Sequence, residues 1–254
     1  MPDVDLLRVF KNGLLPANYL SDYPQRMLRS YVTDYLIEEI QTEGLVRNLP
    51  NFARFMELVG FTNGQMLNFA NISRDVGVDA KTIKEYYQIL VDTLIGYYVE
   101  PFHKKVKRDL IQSTSKFYLF DVGVANHLQH RSIDILKGQE AGEAFEHYIL
   151  VELMAYLGLN ELDASLNYWR SKSGFEVDFV LGNGKIAIET KISSNIDQSD
   201  LKGLIAFCED YAPDHALVVC QAPRKRIVSI GKISIEILPW KDFLENLWSK
   251  KYHL

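Results

Sequence analysis

The segment from Phe175 to Lys191, Phe-Glu-Val-Asp-Phe-Val-Leu-Gly-Asn-Gly-Lys-Ile-Ala-Ile-Glu-Thr-Lys, leaves this chain few choices. Two strand-like runs flank Asn183-Gly184, the strongest short-range signal for a hairpin closed by a two-residue type I′ turn. With that turn, Gly182 pairs with Lys185, Asp178 lies opposite Glu189, and Glu176 lies opposite Lys191. Strand alternation then puts Glu176, Asp178, Glu189 and Lys191 on one face, and Val177, Phe179, Ile186 and Ile188 on the other.

Carboxylates directly opposed across two strands repel and weaken the pair. The arrangement makes sense if a divalent cation sits between them: Mg²⁺ takes oxygen ligands and is usually held by one or two carboxylates plus water. Lys191, on the same face, could then orient or deprotonate a water, or stabilise charge developing on a phosphate. A second reading of the same residues is a half-exposed face laced by Glu176–Lys191 and Glu189–Lys191 ion pairs. Glu146 weighs toward the first. It lies in a helix predicted over Gly142–Leu157, in line with Leu150, Leu153 and Leu157, so it borders the buried stripe and needs a partner there. The carboxylates of Glu146, Asp178 and Glu189 are therefore expected to gather around one point, with the Lys191 amine nearby.

The rest of the chain divides into regions of different rhythm. Residues 1–62 read as helical: Leu28, Tyr31, Val32, Tyr35, Leu36 and Ile40 form one apolar stripe, and Asn51 could cap a helix over Phe52–Val59. Residues 63–130 have the pattern of a winged helix-turn-helix. A short helix over Ile72–Val76 stops at Gly77, and Asp79 caps a second helix over Ala80–Leu94. Two strands, Gly96–Phe102 and Lys116–Phe120, then flank a basic wing. Lys81, Thr82 and Lys84, with Lys104, Lys105, Lys107 and Arg108 in the wing, are the candidate DNA contacts; a packing module with solvated lysines is the alternative. Residues 138–254 alternate helix and strand in the order αβββαβ, which makes a mixed sheet flanked by helices.

Composition narrows the classes. With 47% hydrophobic and 24% charged residues the chain has the profile of a globular protein. Its apolar runs are too short to span a membrane, and the acidic, amphipathic N-terminus does not read as a signal peptide. Cys208 and Cys220 have no CxxC partner, so two free thiols in a reducing cytoplasm are expected. The net charge of −5 shows no overall basic excess, so any nucleic-acid contact has to be local. The six histidines form no HExxH motif, although His127 and His130 are spaced to share a metal, and no G-x-S-x-G is present.

Glu146 in a G-x-x-x-E helix, Asp178 on a strand and Glu189-Thr190-Lys191 on the next resemble the PD-(D/E)XK nuclease superfamily, with Val177 at the usual proline. More specifically, the chain resembles the C-terminal part of archaeal and bacterial AAA-type ATPases that carry a DUF4143 region. The matching stretches are Tyr35–Ile40, Lys116–Gly123, Gly142–Glu146, Tyr168–Arg170, Glu176–Phe179 and Ile188–Lys191. The resemblance implies a restriction-endonuclease-like αβββαβ domain in a mixed α/β (α+β) chain. It further implies catalytic Glu146, Asp178, Glu189 and Lys191, with Mg²⁺ or Mn²⁺ held by the three carboxylates, and DNA as substrate. The ATPase domain of such proteins has no counterpart here: G-x-x-x-x-G-K-[ST] does not occur. No ATP site is expected, the chain reads as a truncated relative or a fragment, and a homo-oligomer or a partner ATPase are candidate associations. A non-catalytic binding or assembly module derived from a larger ATPase is the competing function.

Overall fold

A computed structural model describes residues 4–36, 46, 48–104, 108–111 and 113–254. The chain is of mixed α/β class and separates into two compact units. One comprises residues up to Tyr98 together with Ser115–Ile135; the other comprises Val99–Thr114 together with Leu136–Leu254. This division differs from the three consecutive segments expected from the sequence, because residues 99–114 fall with the C-terminal unit.

The first unit is mostly helical. Helices α1 (Leu6–Asn12), α2 (Pro16–Tyr19) and α3 (Pro24–Ser30) lead into a π-helical stretch at Tyr31–Leu36. Of the apolar stripe read from the sequence, Leu28 and Val32 are buried in the core, and Ile40 lies outside the described residues. Helix α4 (Leu49–Val59) starts earlier than expected: Asn48, not Asn51, caps it, its side-chain oxygen accepting from the Asn51 amide at 3.2 Å. Phe55 and Phe117 pack edge-on against Tyr87 at centroid distances of 4.9 and 4.8 Å.

Both helices of the expected helix-turn-helix form, the first beginning at Phe69 instead of Ile72 and the second ending at Asp92 instead of Leu94. Helix α5 (Phe69–Val76) is capped by Asn68 and ends at Gly77, whose φ of 80° is the left-handed C-cap that glycine supplies without steric cost. Asp79 then caps α6 (Ala80–Asp92), its carboxylate accepting from the Thr82 amide at 2.9 Å. A two-residue strand β1 (Gln65–Met66) precedes the motif, and β2 (Gly96–Pro101) and β3 (Lys116–Leu119) follow it, before α7 (Val122–Leu128).

The second unit is built on a sheet. Its strands are the end of β2, then β4 (Leu166–Arg170), β5 (Glu176–Leu181), β6 (Ile186–Lys191), β7 (His215–Cys220), β9 (Ile233–Pro239) and β8 (Arg226–Ile230), in that spatial order. Strands β4, β5 and β6 are antiparallel neighbours, β6, β7 and β9 run parallel, and β8 closes the edge antiparallel to β9. Helices α8 (Gly138–Leu159), α9 (Lys202–Tyr211) and α10 (Trp240–Trp248) complete it. The αβββαβ order is the one read from the sequence, with α8 beginning about one turn earlier than predicted. Leu204 and Phe207 of α9 pack with Trp169, Val177, Val180 and Val218 in one core. Gly203 at the start of α9 allows this approach: a β-carbon there would stand 1.8 Å from the Glu176 carbonyl oxygen.

The register of the β5–β6 hairpin is the one expected from the sequence. Phe179, Val180 and Leu181 pair with Ile188, Ala187 and Ile186. The loop is longer than the expected two residues: a 3-10 turn spans Gly182–Gly184, Gly182 (φ 58°), Asn183 (φ 64°) and Gly184 (φ 95°) are all left-handed, and Lys185 is helical (φ −68°, ψ −36°), so the ladder closes at Leu181–Ile186 and not at Gly182–Lys185. The regular alternation does not survive along β5, however. Asn167 pairs with Val180, whereas Trp169, two residues on, pairs with Val177, three residues back. Strand β5 thus holds one extra residue at Asp178–Phe179, a bulge of the kind that re-aims side chains beside functional sites. Val177 and Val180 consequently share one core instead of facing opposite ways.

Candidate functional site

Asp178 stands at this bulge and is buried. Its Oδ2 accepts two hydrogen bonds from the neighbouring strand, from the Thr190 amide at 2.7 Å and the Thr190 hydroxyl at 2.8 Å. The β5–β6 ladder ends at Phe179–Ile188, so the carboxylate takes up the Thr190 amide where ladder pairing has stopped.

Glu189 is 8% exposed on β6, where it pairs with Val218 of β7. Its Oε1 accepts from the Lys191 ammonium at 2.6 Å, while its Oε2 is buried and receives no hydrogen bond. Burial, reinforced by the charge of Asp178 and to a smaller degree that of Glu146, pushes the Glu189 carboxyl well above the usual carboxylate range; Lys191 offsets only part of this. For Lys191 the balance goes the other way. Burial disfavours its ammonium, but Glu189, Asp178 and Asp200 outweigh that and hold its pKa above the ordinary lysine value. Glu146, half-buried on α8, is therefore close enough to act on Glu189 by charge. One residue pair farther along, Arg170 of β4 donates to Glu176 at 3.1 Å.

These contacts bear on the expected metal. Among the described residues, no three histidine, cysteine, aspartate or glutamate side chains form a group arranged to hold an ion. The donor chemistry nonetheless suits a hard divalent cation: a buried carboxylate oxygen with no hydrogen-bond donor, near a second carboxylate, is an oxygen-rich point whose charge Lys191 offsets only in part. On that chemistry Asp178 and Glu189 would be the residues to hold such an ion.

The nucleic-acid candidates are spread over both units. Lys81 and Lys84 are exposed on the first turns of α6, and Lys81 makes a long, solvated contact of 3.9 Å with Glu85. The Thr82 hydroxyl donates to Asp79 at 2.8 Å as part of the helix cap. In the basic segment, Lys104 donates to the Asn183 carbonyl at 2.5 Å, and Arg108 pairs with Asp210 at 2.8 Å and Glu209 at 3.1 Å. Arg108 is thus bound into the second unit, against the carboxylates of α9. Lys105 and Lys107 lie outside the described residues.

Sequence reasoning did not single out Thr190 or Arg170 as partners in the site. The bulge was the reason: regular alternation turns Thr190 away from Asp178, and only the extra residue in β5 brings them together. His127 interacts with His130, and its ring donates to or accepts from Gln25 at 3.3 Å; no metal site is formed there among the described residues. Cys208 and Cys220 are free thiols, and no helix among the described residues is long and apolar enough to cross a membrane.

Residues 141–243 match the domain of unknown function DUF4143, a span that includes Glu146, Asp178, Glu189 and Lys191. Residues 5–134 match a different one, DUF8612. The expected DUF4143 region is thus found in the C-terminal part of the chain, and the Tyr35–Ile40 and Lys116–Gly123 stretches fall within the DUF8612 match. The chain is also 23% identical over 150 residues to the uncharacterized proteins Mb2031c of Mycobacterium bovis and Rv2008c of Mycobacterium tuberculosis, covering 58% of this chain and 33% of each relative. It therefore spans about a third of the length of the curated relatives it matches. No solved structure matches it. With just over half of its residues inside the DUF8612 match, the chain belongs to the family of proteins that carry that domain of unknown function, followed here by a DUF4143 region.

Proposed function

We propose that the C-terminal unit is a metal-dependent, PD-(D/E)XK nuclease-like module that hydrolyses phosphodiesters in DNA, with the helix-turn-helix of the N-terminal unit contributing duplex contacts. The observation that carries this reading is the buried Glu189 Oε2, which has no hydrogen-bond donor although Asp178 adds negative charge beside it. A group so placed costs stability unless something positive completes it. Asp178 and Glu189, with Glu146 from α8, are the residues that would hold Mg²⁺ or Mn²⁺. Such a cation, when bound, supplies Lewis-acid polarisation of the phosphate and acidification of a water.

The chain's own contribution follows from the contacts. Thr190 holds the Asp178 carboxylate from two directions. Lys191 donates from a protonated amine to Glu189 at 2.6 Å. As a retained positive charge it suits stabilisation of charge developing on phosphate oxygen better than removal of a proton from water. The test is incubation of the protein with plasmid, single-stranded and branched DNA in Mg²⁺ and in Mn²⁺. Metal-dependent cleavage that disappears in Asp178→Asn and in Lys191→Met supports the reading; intact DNA under every condition refutes it.

A second reading is a non-catalytic binding or assembly module derived from a larger ATPase. It draws on the net charge of −5 and on the Glu189–Lys191 pair, which already neutralises one carboxylate without a metal. DNA retention without cleavage, or association with a separate ATPase or a second copy of the chain, distinguishes it.

A further inference from the structure

We infer that Thr190, the middle residue of Glu189-Thr190-Lys191, is a positioning residue that holds the Asp178 carboxylate in the orientation the divalent cation needs; this rests on the metal-site reading above. Three observations carry it. The bulge at Asp178–Phe179 breaks the β5 alternation at the residue concerned, so strand geometry alone does not fix where the carboxylate points. Two donors on one residue then fix it, the Thr190 amide at 2.7 Å and its hydroxyl at 2.8 Å, both on Oδ2. Thr190 is itself 7% exposed, so neither bond competes freely with water. A carboxylate tied through one oxygen by two donors from a single residue loses its rotation about the Cβ–Cγ bond. Outer partners of this kind orient metal-binding carboxylates, and their loss typically costs about 10–100-fold in metal affinity or activity.

The two donors separate cleanly by substitution. Thr190→Val keeps the β-branched shape and the amide but removes the hydroxyl; Thr190→Ser keeps both donors and removes a methyl. Stabilisation of parent, Thr190→Val and Thr190→Ser by Mn²⁺ is measured as melting temperature against metal concentration, at constant ionic strength and from an EDTA-treated baseline. The expected result is an apparent Mn²⁺ affinity about tenfold weaker in Thr190→Val and close to that of the parent in Thr190→Ser. A Thr190→Val protein that melts lower in EDTA but keeps the parent's Mn²⁺ midpoint makes Thr190 purely structural and overturns the inference, leaving the metal site standing. Equal weakening in Val and Ser also overturns it, because the hydroxyl is then not the cause. A parent that shows no Mn²⁺ response removes the metal-site reading and this inference together.

Discussion

Glu189 and Lys191, two residues apart on one strand, meet through a 2.6 Å hydrogen bond that satisfies one oxygen of a buried carboxylate and leaves the other without a donor. The pair is half a solution to the burial of Glu189. It lowers the cost of the charge, yet burial and the nearby Asp178 still leave the carboxyl's pKa raised.

A pH dependence follows. The unfolded chain releases the Glu189 proton near the ordinary value of 4.5, and the folded protein releases it well above. Between those two points the folded state binds more protons than the unfolded state, so stability falls as pH rises through that window and levels off beyond it. In metal-free buffer, Glu189→Gln is expected to flatten this fall. Lys191→Met, by stripping Oε1 of its donor, is expected to cost about 1–3 kcal/mol at neutral pH and less at pH 4.5. Urea unfolding at a series of pH values in EDTA reads both; a parent whose stability does not decline over the window contradicts the assignment.

Asp178→Asn tests the opposed charges directly. The amide oxygen can still accept from Thr190, so the two bonds at 2.7 and 2.8 Å have a replacement acceptor while the charge is gone. The metal-free variant is expected to be more stable than the parent by about 0.5–1 kcal/mol. The parent should gain about 2.7 kcal/mol from Mg²⁺ or Mn²⁺ at a hundred times the dissociation constant, and the variant should lose most of that gain. Equal metal shifts in the two proteins, by calorimetry at matched ionic strength, show that Asp178 is no ligand.

Much of this architecture is legible in the residues. Asn183-Gly184 marks the hairpin, and the expected pairing of Phe179 with Ile188 is observed, although the loop runs from Gly182 to Lys185 instead of closing in two residues. Gly77 and Asp79 mark the end of one helix and the cap of the next because one supplies a left-handed φ and the other a side-chain acceptor. What the pattern does not reveal is the bulge at Asp178–Phe179. Period-two alternation assumes one residue per position, and nothing in Glu-Val-Asp-Phe-Val-Leu announces an extra one. The Thr190–Asp178 bonds, and the shared core of Val177 and Val180, follow from that irregularity. The basic segment was also opaque: as a string, Lys104 to Arg108 reads as a wing, whereas Arg108 finds Glu209 and Asp210, about a hundred residues away in sequence.

Gly203 links the packing of α9 to the site. A β-carbon at this position meets a backbone carbonyl, that of Glu176, which cannot rotate aside as a side chain can. Gly203→Ala is expected to shift α9 away from β5 and to cost about 1–3 kcal/mol, the usual range for overpacking. Chemical denaturation measures the loss, and Mn²⁺ affinity should fall with it because Glu176 is two residues from Asp178. A variant as stable as the parent shows that the helix accommodates the methyl group without displacement.

DNA binding, if it involves the helix-turn-helix, has to be separable from the charge inside the second unit. Lys81 and Lys84 are exposed, and the 3.9 Å contact of Lys81 with Glu85 is one that solvent and salt weaken readily. Each lysine that touches a phosphate releases counterions, so its removal lowers the slope of log affinity against log salt by about one. Lys81→Gln with Lys84→Gln is therefore expected to reduce that slope by about two, with little effect on melting temperature. Arg108→Gln should do the reverse. Its guanidinium is held at 2.8 Å from Asp210 and 3.1 Å from Glu209, so the substitution leaves two carboxylates of α9 without their partner and lowers stability, while the salt slope stays near that of the parent. Fluorescence anisotropy with a short duplex across a salt series, run beside melting curves, separates the two effects. Slopes unchanged in the double lysine variant would show that the start of α6 is not a phosphate contact, and a slope lost in Arg108→Gln would place DNA on the C-terminal unit instead.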